Sequence, residues 1–242
     1  MSKTIFLAGA TGAIGQVLSK LLVENGWKVY GTTRSEDKVP LLQEMGVEPV
    51  VVDVYDVELL IKKLAEIKPE VVIHQLTDLP YALNADEMEA ALVSHARLRT
   101  EGTKNLVDAA VKAGCKRIIA QSISFVYDEG RTPHVEEDAL MPLTHPVYGE
   151  TAEGVRNLER QVVESGVEGL ILRYGLFYGP KTGFDAPIAQ ASVHVEAAAK
   201  AAEIAVTKGA TGIYNVAEAD DSLSSEKAIS TFGWDANWRV KN

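Results

Sequence analysis

The chain has 242 residues, of which 46% are hydrophobic and 24% charged, as in an ordinary globular protein. A formal net charge of −10 without a basic patch disfavours nucleic acid as a partner, because the phosphates would be repelled. Cys115 is the single cysteine, so an internal disulfide is excluded, and we interpret it as a small buried residue. Without a signal-peptide pattern or an apolar stretch of bilayer length, the sequence predicts a cytoplasmic protein with no membrane partner.

Seven short runs rich in valine and isoleucine alternate with segments whose apolar residues recur at helical spacing. We predict strands, buried on both faces, over 4–9, 28–33, 48–54, 70–76, 116–122, 168–175 and 212–217. Helices are predicted over 86–113, from near 148, over 192–207 and within 222–242, with a loop over 180–191. This alternation predicts an α/β fold with a Rossmann-type doubly wound parallel sheet. We expect one domain over 1–242, in which 176–242 contribute a small carboxy-terminal lobe.

Three glycines in the stretch GATGAIG, residues 9–15, stand three positions apart between the first predicted strand and a helical pattern. Gly9 permits a tight turn, Gly12 allows the backbone to approach a ligand closely, and Gly15 allows the helix to pack against the sheet. The helix beginning near Ala13 directs free N–H groups and the positive end of its dipole outward, which suits a pyrophosphate. This context predicts dinucleotide binding, and the alternative is a purely structural turn.

The end of the second strand, GTTRS, distinguishes NADP from NAD. An acidic residue there would bind the ribose 2′-hydroxyl, but Thr33 and Arg34 occupy the position. Arg34 is able to pair bidentately with a 2′-phosphate, so NADP is the predicted coenzyme and NAD the second choice; the alternative is a solvated surface arginine. Asp53, after the third strand, is predicted either to receive the adenine amino group or to cap the helix that begins near Asp56.

Several segments resemble, in order along the chain, the extended short-chain dehydrogenase/reductases of the NAD-dependent epimerase/dehydratase family. They are GATGAIG, VVDVYD, VIHQL, EGTKNLVDAAVKAGCKRIIAQSISFVY, LRYGLFYGP, VHVEAAAKA and GIYNVAE, and they cover about residues 4–217. The resemblance implies a coenzyme cleft along the glycine turn and the ends of the second to fourth strands. The predicted coenzyme-binding residues are Gly9, Thr11, Gly12, Ala13, Ile14, Gly15, Thr33, Arg34, Asp53, Val54, Gln75, Leu76, Thr77 and Tyr148.

The resemblance also implies an acid–base pair of the form Tyr-x-x-x-Lys. A phenol ordinarily has a pKa of about 10, and a lysine one helical turn away favours its ionised form. Tyr148 is the candidate tyrosine, but Ala152 stands where the lysine is expected. Another cation, Arg173 or Lys181, would have to replace it.

The serine of that family's active site is also displaced in this chain. The usual serine or threonine position, four before Tyr127, holds Ile123, and Ser122 and Ser124 flank it. We select Ser122 as the residue that polarises the substrate, and the alternative is a hydroxyl bonded to the backbone. The short distance from FYGP to SVHVEAAAKA implies a reduced substrate lobe, which fits a small substrate better than a nucleotide sugar.

Other titratable residues receive structural interpretations. His74 is interpreted as a satisfied histidine at a strand end, and no set of ligands at metal spacing is present. Arg99, on the long predicted helix with Arg97, is expected either to meet an anionic substrate or to form a salt bridge between helices. That helix and the one after Tyr148 are the pair through which family members dimerise, so the resemblance implies a homodimer.

Two functions follow from these observations. The first is an NAD(P)-dependent oxidoreductase or epimerase/dehydratase-like enzyme that acts on a small carbonyl or sugar-like substrate, with Tyr148 and Ser122 as catalytic residues. The second is a catalytically silent NADP-binding redox sensor or regulatory protein. The break in the Tyr-x-x-x-Lys motif favours the second, whereas the retained Tyr148 favours the first.

Overall fold

A computed structural model describes residues 3–241, and its strands match the predicted pattern. In chain order, the strands are β1 Thr4–Ala8, β2 Lys28–Thr33, β3 Glu48–Val51, β4 Val71–His74, β5 Arg117–Ile123, β6 Glu168–Tyr174, β7 Leu176–Tyr178, β8 Ser192–His194 and β9 Gly212–Val216. Seven of them form one parallel sheet in the order β3-β2-β1-β4-β5-β6-β9. All seven predicted strands are therefore confirmed. The two-stranded sheet β7–β8 flanks the predicted loop 180–191 and was not predicted.

The helices connect these strands. They are α1 Ala13–Glu24, α2 Val39–Glu44, α3 Val57–Ile67, α4 Ala85–Arg97, α5 Thr103–Lys112, α6 Gly149–Val163, α7 Val195–Ala205 and α8 Glu226–Phe232. The helix predicted over 86–113 is α4 and α5 joined by a π-helical segment, Leu98–Gly102. None of the helices within residues 3–241 is long and apolar enough to cross a membrane.

Helices cover both faces of the main sheet, as the near-continuous apolar strands require. Ile5 and Leu7 of β1 belong to the core that α1 and α7 cover. Phe6 and Ala8 belong to the core on the other face, beneath α3, α5 and α6. Because neighbouring strand residues point to opposite faces, a strand with all five residues buried must be covered on both sides. The predicted doubly wound fold is confirmed.

The segment 176–241 contributes to the main body of the fold as well as to its edge. It supplies β9 to the main sheet, and α7 packs against α1. The indole nitrogen of Trp234 donates to the Ala197 carbonyl at 2.9 Å, which fixes the segment after α8 against α7. The remaining part, β7 and β8 with the connection between them, lies beside the carboxyl ends of the strands.

The order in which the chain adds strands to the sheet reverses between β1 and β4. From β1 the chain moves outward through β2 and β3, then crosses to β4 on the other side of β1. The connections at the carboxyl ends of β1 and β4 therefore leave in opposite directions and open a crevice between them.

Candidate functional site

A cleft of about 750 Å³ lies over the carboxyl ends of the strands, at this reversal. It is lined by every predicted coenzyme-binding residue except Tyr148, from the glycine turn through the ends of β2, β3 and β4. Residues that are distant in sequence meet here because parallel strands bring their carboxyl ends to one edge of the sheet.

The three glycines of the turn meet different constraints. Gly9 has φ +90°, and a side chain there would come within 2.5 Å of the Gln75 carbonyl oxygen. A Cβ at Gly15 would lie 2.1 Å from the Gly9 oxygen, so Gly15 is required by the packing of α1 on the turn. A Cβ at Gly12 would meet nothing nearer than 3.5 Å. The protein itself does not need a glycine at position 12, although the residue lines the cleft, and this open space fits a closely bound coenzyme.

The amino terminus of α1 is available to an anion. Its N-cap is Gly12, which supplies no side-chain cap, and the first turn of the helix contains no acidic residue. The free N–H groups and the helix dipole favour negative charge at this point of the cleft. The turn is held by two hydrogen bonds: the Gly9 N–H donates to Thr32 Oγ1 at 3.1 Å and the Gly12 N–H to the Gly9 oxygen at 3.1 Å.

Arg34 lies at the end of β2, as predicted, but it has a partner. Its Nη2 is 3.1 Å from Oδ1 of Asp78, a residue in the connection after β4, while its side chain remains 62% exposed. Lys38 lines the same end of the cleft and adds a second cation, which the sequence reasoning missed. The Thr33 hydroxyl already has a partner within its own turn, because it accepts a hydrogen bond from the Ser35 N–H at 3.1 Å.

The two alternatives for Asp53 are separated by the structure. Asp56 caps α3, because its Oδ1 accepts from the Leu59 N–H at 3.1 Å. Asp53 instead accepts from the Tyr55 N–H at 2.9 Å and lines the cleft beside Val54. The helix-capping interpretation of Asp53 is therefore wrong.

Two buried histidines lie behind the end of β4. His74 Nδ1 accepts from the Leu76 N–H at 3.2 Å, its Nε2 lies 3.0 Å from Thr103 Oγ1, and burial lowers its pKa to about 4. His95 on α4 lines the cleft, and its Nδ1 accepts from the Asp78 N–H at 3.2 Å. Burial, with the positive charge of Arg99 added to it, lowers the pKa of His95 to about 3. Both imidazoles are neutral at pH 7, and His74 is the satisfied strand-end histidine that we expected.

Gln75 is the unsatisfied polar group of the cleft. It is 5% exposed, lines the cleft, and neither Oε1 nor Nε2 of its amide makes a hydrogen bond of ordinary geometry within residues 3–241. The neighbouring Tyr174 hydroxyl donates to the Ala198 carbonyl at 3.3 Å, and its interaction with the Gln75 amide offsets part of the rise in the Tyr174 pKa that burial causes. A buried amide normally has partners, so this one has donor and acceptor capacity left for a ligand. The residues present thus fit a dinucleotide: a diphosphate at the turn, cations at the end of β2, and a free amide after β4.

The predicted catalytic pair is not brought together in the cleft. Tyr148 is the N-cap of α6, 41% exposed, and does not line the cleft. Ser122 points to the opposite face of β5, where its hydroxyl donates to Glu159 Oε1 at 2.8 Å; the expected alternative, a bond to the backbone, is therefore wrong. Alternate residues of that strand end, Gln121 and Ile123, line the cleft instead.

Arg173, one of the two cations proposed to replace the missing lysine, is bound to Glu159. Arg173 donates to both oxygens of Glu159 at 2.7 Å and to the Tyr127 hydroxyl at 2.7 Å, and all three side chains are buried. Arg173 is therefore a structural cation beneath the sheet edge and does not reach the cleft. Ala152, where the lysine was expected, is completely buried in a small apolar cluster.

Lys181, the other proposed replacement, does line the cleft. Its Nζ donates to Oε1 of Gln16, and Gln16 Nε2 in turn donates to the Thr11 carbonyl at 2.8 Å. Lys181 is thus at the glycine turn. It has no carboxylate partner within 4 Å among the described residues.

The two arginines of the long predicted helix make structural contacts outside the cleft. Arg97 pairs with Glu101 at 2.7 Å and stacks over the Tyr55 ring at 4.0 Å. Arg99 is 7% exposed and donates to the Thr151 carbonyl of α6 at 3.4 Å. Neither lines the cleft, and the ion pair between helices that we expected for Arg99 is replaced by this contact with a carbonyl.

Comparison with known proteins agrees with this geometry. Residues 9–218 match the family described as NAD(P)H-binding. A Streptomyces protein named 3-diazoavenalumate denitrifying reductase is 35% identical over 243 residues, spanning 92% of this chain and 78% of that protein.

Solved structures with the same fold are more distant in sequence. UDP-glucose 4-epimerase from Thermotoga maritima, with UDP-glucose, has a TM-score of 0.77 and 18% identity over 97% of this chain and 94% of its own. The UDP-glucose 4-epimerase of Thermus thermophilus, in complex with NAD, has a TM-score of 0.75 and 19% identity over 98% and 95% of the two chains.

Proposed function

The chain belongs to the NAD(P)H-binding family and has the fold of the extended short-chain dehydrogenase/reductases, and from this premise we propose that it is an NADP(H)-dependent reductase of a small electrophile. The observation that carries the proposal is the cleft: the glycine turn, the ends of β2 and β3, and the unsatisfied Gln75 amide open onto one space. When bound, the reduced nicotinamide supplies a hydride. The residues of the chain bind and orient the two reactants.

NADPH is preferred over NADH because the end of β2 carries cations where an NAD-specific site carries an acid. Arg34 and Lys38 line this end of the cleft, and Arg34 is exposed enough to turn toward a phosphate. Asp78 competes for the same guanidinium. The preference for NADPH is therefore set by the difference in free energy between the pairing of Arg34 with a 2′-phosphate and its pairing with Asp78.

The reaction proceeds without a tyrosine–lysine acid. Ala152 replaces the lysine, the Ser122 proton is committed to Glu159, and the neutral His95 in the cleft is a poor acid. A hydride acceptor that needs no proton from the protein suits such a site. We propose diazo compounds as this class, by analogy with the Streptomyces relative, whose name is that of a denitrifying reductase of a diazo compound.

The chemistry of this class balances without an acid. When an aryl diazonium ion accepts a hydride with its two electrons, a C–H bond replaces the C–N bond and dinitrogen leaves with the electrons of the broken bond. The hydride that bound NADPH would supply cancels the positive charge of the substrate and would leave NADP⁺. No proton is taken up or released.

Carbonyl reduction with Tyr148 as proton donor is the second candidate. The observation that favours it is that the Tyr148 hydroxyl is exposed and makes no hydrogen bond to the described residues, so it is free to meet a substrate.

A homodimer also remains a proposal, and the exposed Leu92 and Val93 on α4 would lie in its interface.

The test uses 4-methoxybenzenediazonium and benzaldehyde with NADPH carrying deuterium at C4, each corrected for the reaction without protein. The proposal expects anisole that contains deuterium from NADPH, none from D2O, and an unchanged rate in Tyr148→Phe. Benzaldehyde reduction that disappears in Tyr148→Phe would support the carbonyl function instead. Tight NADPH binding without turnover of either compound would overturn the reductase proposal in favour of a silent NADP-binding protein.

A further inference from the structure

One wall of the cleft is apolar and partly exposed, and we name it the acceptor wall. It consists of Tyr81, Phe125, Phe177, Phe184 and Ile188, all of which line the cleft. They follow β4, β5 and β6, at the end of the cleft opposite the cations of β2. If the adenosine end of the coenzyme binds at the end of β2, its nicotinamide end would lie on the side of the cleft that carries this wall.

The acceptor wall exposes more apolar surface than packing of the chain requires. Tyr81 is 72% exposed, Ile188 44% and Phe125 37%, whereas Val126, next to Phe125, is completely buried. Single exposed apolar side chains are ordinary, but several that converge on one cleft mark a place where a ligand covers them. Covering them removes apolar area from water, which favours a ligand with an apolar body.

The cations that line the cleft are directed away from this wall. The lysines and arginines that line the cleft are Arg34 and Lys38, at the end of β2, and Lys181, which is bonded to Gln16 at the glycine turn. A second diphosphate, such as that of a nucleotide sugar, would therefore find no cation at the acceptor wall. A neutral ring system would desolvate no charge there.

The two connections beside the wall are in contact, and one of its rings is packed from behind. Gly183 has φ +90°, and a Cβ there would lie 2.5 Å from the Ala82 Cβ, so the connections 79–84 and 179–191 are in contact. Phe177 is held from behind by Tyr174, with ring centroids 5.4 Å apart, and β7 is paired with β8. Aromatic side chains on such a wall accept flat rings more readily than puckered ones, because stacking needs a planar face.

We propose that the acceptor wall is a binding site for a flat ring that carries no anionic group and that it excludes nucleotide sugars; this deepens the reductase function and rests on it. The ring lies against Phe125 and Phe177, while Tyr81 and Ile188 cover its outer edge. The electrophilic substituent of the ring is then directed toward the glycine-turn side of the cleft.

The test is equilibrium binding to the NADP⁺-loaded protein, measured by calorimetry. The probes are 2-naphthol, the puckered 2-decalol with the same carbon skeleton, and UDP-glucose. We expect 2-naphthol to bind at least about tenfold more tightly than 2-decalol, and millimolar UDP-glucose to give no heat. Phe125→Ala should weaken 2-naphthol binding at least about fivefold. Ile229→Ala, at an exposed position on α8 outside the cleft, should bind 2-naphthol like the parent protein.

Two results overturn the inference: tighter binding of UDP-glucose than of 2-naphthol, or unchanged 2-naphthol affinity in both Phe125→Ala and Phe177→Ala. NADP⁺ affinity is measured in the same samples and should not change in any variant. A parent protein that binds no NADP⁺ contradicts the reductase proposal instead, and 2-naphthol binding to the coenzyme-free protein still decides the character of the wall.

Discussion

The guanidinium of Arg34 lies 3.1 Å from the carboxylate of Asp78, so a cation at the end of β2 is held by an acid from the connection after β4. The pair joins the two sides of the cleft at its coenzyme end. It is mostly solvated on the arginine side, with 62% of that side chain exposed, so it contributes little to stability. Its consequence is for specificity, because a 2′-phosphate must compete with Asp78 for Arg34.

The first prediction concerns this competition. Arg34→Ala should weaken NADPH binding at least about tenfold, the loss expected for a hydrogen bond to a charged group, and change NADH binding much less. Asp78→Asn keeps the shape of the residue but frees the guanidinium, so NADPH affinity should rise and NADH affinity should not. Calorimetric titration with both coenzymes measures these changes. Equal losses for NADPH and NADH in Arg34→Ala would contradict the NADP assignment.

The second prediction separates two glycines of one turn. Gly12→Ala has room for its methyl group, so the free energy of unfolding should hardly change, while NADPH affinity should fall at least about tenfold because the backbone no longer approaches the diphosphate. Gly15→Ala would place its methyl group 2.1 Å from the Gly9 oxygen and should lower the melting temperature strongly. Thermal unfolding and coenzyme titration are measured on the same preparations. Full NADPH affinity in a folded Gly12→Ala protein would show that the turn is only structural.

The third prediction assigns Lys181 to the coenzyme rather than to proton transfer. Because its Nζ is bonded to Gln16 at the glycine turn, Lys181→Gln should weaken NADPH about five- to tenfold and reduce the salt dependence of binding. The matched control is Lys20→Gln, which removes the same charge from an exposed position on α1 outside the cleft. If Lys181→Gln keeps the parent affinity and instead abolishes turnover, Lys181 replaces the missing lysine of the acid–base pair.

The fourth prediction is a pH dependence of stability. His74 is buried and neutral, with a pKa of about 4 against about 6.5 when unfolded, so the unfolded chain takes up the proton first as the pH falls. This difference in pKa contributes about 3 kcal/mol to the free energy of unfolding. The contribution is complete above pH about 6.5 and is lost progressively as the pH falls to about 4. Urea unfolding at pH 7 and at pH 4.5 measures the loss. The glutamine of His74→Gln cannot ionise, so this variant should lose less stability than the parent between pH 7 and pH 4.5. An equal loss of stability in the two proteins would contradict this account.

Local sequence patterns determined most of the fold. The seven strands of the main sheet are short apolar runs bounded by glycine, proline or polar residues, and such runs can be recognised without knowing their partners. The strands β7 and β8 were missed because each has only three residues, and β7 follows β6 after a single glycine. Their pairing depends on the connection between them folding back over the cleft.

The coenzyme half of the site was also accessible from the sequence. Glycine spacing and strand ends identify it, because parallel strands always bring their carboxyl ends to one edge. The acceptor half was not accessible, since Phe125 follows β5, Phe177 lies in β7 and Ile188 lies between β7 and β8, with no motif that joins them. The same limit applies to His95, which could have been found only by asking which face of α4 points toward the sheet.

The sequence by itself determined the order of strands and helices, the dinucleotide turn and the loss of the lysine four residues after Tyr148, because these depend on residues close together in the chain. Only the tertiary structure decided the partners of the functional side chains. Ser122 turns to Glu159, Arg173 is bound beneath the sheet, and Arg34 is paired with Asp78. The direction of a strand side chain and the position of a charge from another connection are fixed by long-range packing, which no local pattern encodes.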